Sequence, residues 1–215
     1  MGAKKRYAVV ADQKWHSKLI NYPVNQEVIK GYHQALKILR AFSPDVQSLP
    51  PDLFPVITLN NISTSIYPGE PLILFSVSNN RKNSLINNEN LTLISGKISE
   101  KYPTEKFIIS AFPNDIYTAK NLNSRIGDNS KIVMCDSLNS FLALLNNMTL
   151  IVVGGICHLS AALKKKLVAL YGVTKPENWS PLTSKDMCIT LYDPENVNNI
   201  TLDKITNAIF SLLEK

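Results

Sequence analysis

The residues of this 215-residue chain best suited to chemistry lie between Thr149 and Pro181, TLIVVGGICHLSAALKKKLVALYGVTKPENWSP. Thr149 to Val153 is a short β-branched apolar run, Gly154-Gly155 a turn, and a helix is expected from Ile156 to Lys165. A strand, a glycine turn and a helix start in series can hold an anion. Glycines admit close backbone approach, and first-turn N–H groups with the helix dipole favour phosphate. His158 falls in that first turn, where a donating imidazole would help neutralise a pyrophosphate. Two plainer readings stand beside this one: glycines serving helix-strand packing alone, and a histidine satisfied by a neighbouring carbonyl.

Two further loops carry suitable groups. Ser76-Val77-Ser78-Asn79-Asn80-Arg81-Lys82 follows an apolar run and brings a hydroxyl and two cations, although such a loop is also ordinary surface. Ala111-Phe112-Pro113-Asn114-Asp115 ends in a carboxylate able to accept from two adjacent hydroxyls, and Asn114 or Asp115 is equally able to cap the helix expected at Ile116.

The elements that must position these groups alternate. Strands are expected at 72–77, 106–111, 131–134, 149–153 and 167–171, and helices at 87–101, 116–126, 137–146, 156–165 and 202–214. Near-continuously apolar strands alternating with helices imply an α/β fold: a Rossmann-like parallel sheet with helices on both faces. Ligands of such sheets bind beyond the carboxyl ends of the strands, where all three loops fall.

Upstream the pattern is looser. Tyr7 to Ala11 reads as a strand and Asp12 to Asn25 as loop, with Trp15-His16 too isolated to interpret. Gln26 to Phe42 carries a helical apolar stripe, with His33 off the stripe and facing solvent. From Ser43 to Pro71, prolines at 44, 50, 51, 55, 68 and 71 exclude a helix and mark a linker, with an edge strand at Val56 to Leu59. The expected domains are therefore 1–42, the Pro-rich linker 43–71, and the Rossmann-like unit 72–215.

The net charge of +6 suits anionic partners, phosphorylated sugars or an acidic membrane face, and does not select nucleic acid. Cys135, Cys157 and Cys188 show no C-x-x-C spacing, which points to a reducing, cytoplasmic setting and away from a zinc site or a disulfide scaffold. No apolar run reaches the roughly 20 residues that span a bilayer, so membrane association would be peripheral.

The order of residues from Gly155 to Pro181 resembles the C-terminal signature of glycosyltransferase family 9, the bacterial lipopolysaccharide heptosyltransferases. There a strand runs into D-[ST]-G-x-x-H-[LI]-x-A-A-L, and a second strand ends in [LVF]-[YF]-G-P-T-x-P followed by W-x-P. Gly155-Ile156-Cys157-His158-Leu159-Ser160-Ala161-Ala162-Leu163 and Leu170-Tyr171-Gly172-Val173-Thr174-Lys175-Pro176, with Trp179-Ser180-Pro181, fall at those spacings. The departures are Val153 at the family's Asp, Gly154 at its Ser/Thr, and Val173 at its Pro.

The resemblance implies one half of a GT-B fold, the half that binds a nucleotide-sugar donor such as ADP-heptose. It implies inverting transfer to a lipopolysaccharide core, with no cofactor and no metal. Ser78 would belong to a donor-binding Thr/Ser-rich loop and Lys82 would contact donor phosphate, with Asp115 on the ribose and Gly154, Gly155 and His158 at the diphosphate. Residues 1–42 would be the tail of an acceptor domain and its connecting helix. The family's catalytic Asp lies in that domain and has no counterpart identified here. A separate acceptor-domain partner or self-association would then be expected. The competing expectation is a degenerate domain with this fold and no turnover.

Overall fold

Alternate residues of the central strands face opposite ways, and both faces are apolar, so the sheet must be covered on both sides. The computed structural model describes residues 7–9, 22–24, 33–43, 45–51, 54–59, 71–79 and 81–215, and Trp15-His16 lie outside them. The chain divides into two units, one of residues 1–53 with 177–179 and one of residues 54–176 with 180–215.

In the first unit, β1 (Tyr7–Val9) pairs in parallel with β2 (Tyr22–Val24), and α1 spans Gln34–Phe42. Three expectations are corrected here. Asp12 to Asn25 is not all loop, since it contains β2. The helix that ends at Phe42 begins at Gln34, because His33 holds a non-helical ψ of 145° and its Nδ1 accepts from the Ala35 N–H at 3.2 Å; residues 26–32 of the expected helix lie outside the described residues. His33 is a helix cap, half-buried rather than turned to solvent.

The second unit contains β3 (Leu72–Ser76), α2 (Asn88–Lys101), β4 (Lys106–Ala111), α3 (Ile116–Ile126), β5 (Ser130–Met134), α4 (Leu138–Asn147) and β6 (Leu150–Val153). After these come α5 (Cys157–Ala162), β7 (Lys166–Tyr171), the short α6 (Pro176–Trp179, of which 177–179 are grouped with the first unit), β8 (Cys188–Tyr192) and α7 (Leu202–Leu213). The helices start where side chains supply caps. Asn87 accepts from Asn90 N–H before α2, Ser137 and Ser140 form a reciprocal box before α4, and Thr201 caps α7.

The six strands are all parallel, in the order β5-β4-β3-β6-β7-β8. Ile73, Phe75, Phe107, Ile109, Val152 and Val168 pack on one face with Leu91, Ile94, Leu122, Ile205 and Ile209 of α2, α3 and α7. Leu72, Leu74, Ile108, Ile151, Val153 and Leu167 face the other way, against Phe141, Leu145 and Ala161 of α4 and α5. The expected α/β class and parallel sheet covered on both faces are therefore observed.

Three details differ from the sequence reading. Strand β8 was not expected: CITLY is β-branched and aromatic enough, but it is a half-buried edge strand between two polar, turn-rich stretches. Helix α5 ends at Ala162 rather than Lys165, because Lys164 adopts φ 55° and the backbone turns into β7. Residues 56–59 form no strand; Ile57 N–H donates to the carbonyl of Ala162 at the end of α5.

Candidate functional site

From β3 the chain builds outward through β4 to β5, then returns to lay β6 against the other side of β3. The direction of winding therefore reverses between β3 and β6. In open parallel sheets the crevice outside the carboxyl ends at such a reversal is where ligands sit. Here the segments leaving those ends are Val77 to Lys82 after β3 and Gly154 to Ile156 after β6.

Ser78 and Asp115, from the loops after β3 and β4, meet directly: Ser78 Oγ donates to Asp115 Oδ2 at 2.5 Å. Asp115 occupies the N-cap position of α3, yet its side chain makes no capping bond. The capping alternative for Asp115 is thus not what its carboxylate does, and Asn114 lies in the 3-10 turn Pro113–Asp115 that precedes the helix.

The two glycines of the turn differ. A Cβ on Gly154 would overlap the carbonyl oxygen of Ser84, so Gly154 is required by the approach of the 3-10 turn Lys82–Ser84. At Gly155 an added Cβ would make only ordinary contact, 3.6 Å from Asn79 Nδ2, and this residue is exposed. The packing reading accounts for Gly154, and Gly155 is the position open to a ligand. Gly172 repeats the first case: its Cβ would overlap the Asn83 carbonyl oxygen.

His158 is the second residue of α5 and is exposed, and Lys82 stands exposed at the start of its 3-10 turn. Val153, at the place of the family's Asp, is 1% exposed within the face packed against α4 and α5. Beneath the turn, the Cys157 thiol and the Tyr171 hydroxyl lie 3.3 Å apart, and burial raises both above their ordinary pKa values. Among the described residues, no group of three or more His, Cys, Asp or Glu is placed to hold a metal ion.

Sequence reasoning missed Asn79, whose Nδ2 lies 3.2 and 3.6 Å from where a Cβ on Gly154 and on Gly155 would stand, and a bond from Arg81 Nη1 to Thr174 Oγ1 at 2.6 Å. Thr174 was in view as part of the Tyr-Gly-Val-Thr motif. No spacing rule announces that a residue 93 positions away in sequence is its partner.

The comparisons bear on this geometry. Residues 120–207 match the model of glycosyltransferase family 9 (heptosyltransferase). The chain resembles that family. The match takes in Gly154, Gly155 and His158 and leaves Ser78, Lys82 and Asp115 outside its span.

Among solved structures, E. coli ADP-heptose lipopolysaccharide heptosyltransferase II is similar at TM-score 0.70 and 17% identity, over 92% of this chain and 67% of that one. A family 9 glycosyltransferase from Veillonella parvula gives 0.61 and 15%, over 70% and 48% of the two chains. E. coli heptosyltransferase WaaC with ADP gives 0.59 and 18%, over 67% and 44%. The chain thus spans about two thirds of the first of these and less than half of the other two. At such identities the likeness is one of fold. No curated protein matches the chain in sequence.

Proposed function

We propose that this chain binds a nucleotide-sugar donor, of which ADP-heptose is the specific candidate, as the donor half of a family 9 heptosyltransferase-like enzyme. What supports the reading is one juxtaposition: the Ser78–Asp115 pair and the Gly154–Gly155 turn flank the reversal point of a sheet whose C-terminal part matches that family. Asp115 takes the ribose hydroxyls. Lys82, His158, and the amides at Gly155 and the start of α5 receive the diphosphate, which carries the departing charge.

In the complete reaction an acceptor hydroxyl of the lipopolysaccharide core forms a bond to the anomeric carbon. The opposite C–O bond breaks, its electron pair leaving with the nucleoside diphosphate, and the hydroxyl proton passes to a base of the acceptor domain. On this reading residues 1–42 belong to the acceptor domain with its connecting helix, 43–71 to the linker, and 72–215 to the donor domain. The work is placed in the cytoplasm, with peripheral membrane contact. Among the described residues no helix is long and apolar enough to cross a membrane.

A second reading rests on Val153. A buried valine where the family carries a carboxylate removes an acceptor from the site, as expected of a domain that binds without turnover. Two measurements separate the readings. ADP should raise the melting temperature of the chain in a concentration-dependent way, and an unchanged melting temperature at millimolar ADP and UDP would contradict both. ADP release from ADP-heptose in the presence of lipopolysaccharide core then favours the enzyme; protection without release favours the binding domain.

A further inference from the structure

Lys82 stands on a loop that must be held against the glycine turn for its ammonium to have a fixed place. The loop's own turn bonds, Ser84 N–H to Arg81 O and Leu85 N–H to Lys82 O, shape it without attaching it to β3. Ser84 Oγ is buried without a partner among the described residues, so that hydroxyl does not anchor it. The Arg81–Thr174 bond lies at the surface, between the exposed Arg81 and a half-buried Thr174.

Asn79, one residue beyond Ser78, supplies the attachment. Its Nδ2 donates to the Ser84 carbonyl at 2.9 Å, and its Oδ1 accepts from the Arg81 N–H at 2.9 Å. The same amide lies 3.2 Å from where a Cβ of Gly154 would stand and 3.6 Å from that of Gly155. One planar group therefore ties both ends of the 79–84 loop and lies against the turn. No other uncharged side chain offers a donor and an acceptor in one such fork at that length.

We infer that Asn79 is the positioning residue of the donor site: its carboxamide sets the loop on the glycine turn, and so fixes where Lys82 meets a diphosphate. It touches no ligand itself. The inference rests on the proposed reading of the crevice as a diphosphate site, and it deepens that reading by assigning the orientation of the cation to a residue outside the family match.

The test is calorimetric titration of the intact chain with ADP, at two salt concentrations, for wild type, Asn79→Ala, Asn79→Asp, Lys82→Ala and the double variant N79A/K82A. Loss of the amide should weaken ADP binding about tenfold, the scale of one lost hydrogen bond that leaves a carbonyl unsatisfied. It should also flatten the salt dependence as Lys82→Ala does, and the double variant should bind no more weakly than Lys82→Ala alone.

If Asn79→Ala unfolds below the assay temperature, Asn79→Asp carries the test, with N79D/K82A as its double variant. It keeps the acceptor for Arg81 N–H, loses the donor to Ser84, and should show the same loss and non-additivity. Additive losses, or full affinity in either folded variant while Lys82→Ala binds poorly, would overturn the inference and leave the diphosphate reading standing. Failure of wild type to bind ADP overturns the reading and the inference together.

Discussion

Ser78 Oγ donates to Asp115 Oδ2, joining the loop that leaves β3 to the 3-10 turn that leaves β4 across the carboxyl edge of the sheet. The bond orients the carboxylate at the rim of the crevice and holds it away from the capping role its position would allow. If Asp115 takes the ribose, Asp115→Ala should weaken ADP binding by about 1–3 kcal/mol, the range for hydrogen bonds to a charged group. Ser78→Ala should weaken it by less, because the carboxylate remains. In a double-mutant cycle read by calorimetry the two losses should not add.

The glycine turn separates stability from binding. Gly154→Ala forces its Cβ into the Ser84 carbonyl and should lower stability by about 1–3 kcal/mol, the usual penalty of overpacking. Gly155→Ala finds room beside Asn79 and should leave stability nearly unchanged while weakening ADP. Melting curves with and without ADP check both.

Glu105 precedes β4 with 8% exposure, and Oε2 has no hydrogen-bond partner among the described residues. Burial raises its carboxyl above the ordinary 4.5, so the folded state keeps a proton that the unfolded chain releases. Its contribution is fully present below that ordinary value and is lost as pH rises through the raised one. Glu105→Gln should flatten this part of the stability-pH profile and raise stability at neutral pH, as measured by urea denaturation between pH 4 and pH 8.

The thiols should be slow to react. Burial holds Cys135 and Cys188 up at about 11 and raises Cys157, so little thiolate exists at neutral pH. A colorimetric thiol reagent at pH 7 should label the native chain far more slowly than the urea-unfolded chain. Three fast equivalents in the native state would contradict the packing of Cys157 against Tyr171.

How much the sequence discloses depends on which interactions hold each part. The central strands were legible because both faces of each are buried, so apolar runs such as Leu72 to Phe75 and Leu150 to Val153 announce themselves. Edge strand β8 was not, since half-burial mixes Thr190 and Tyr192 into the pattern. The start of α1 depended on a cap at His33, which periodicity does not register.

Within the site, the turn and the two further loops were found from residue types. The distinction between Gly154 and Gly155 was not, because it is decided by the carbonyl of Ser84, which lies 70 positions away. Asn79 escaped for the same reason: its partners are backbone groups, and backbone groups leave no mark in a sequence.

The central claim is that a nucleoside diphosphate binds where the sheet reverses between β3 and β6. Backbone amide NMR of the 15N-labelled chain titrated with ADP tests it most directly. The account predicts saturable shifts concentrated in Ser78 to Ser84, Asn114 to Tyr117 and Gly154 to Leu159, and weaker ones with AMP. No shifts at millimolar ADP, or shifts confined to the amino ends of the strands around Lys106 and Lys166, would contradict it.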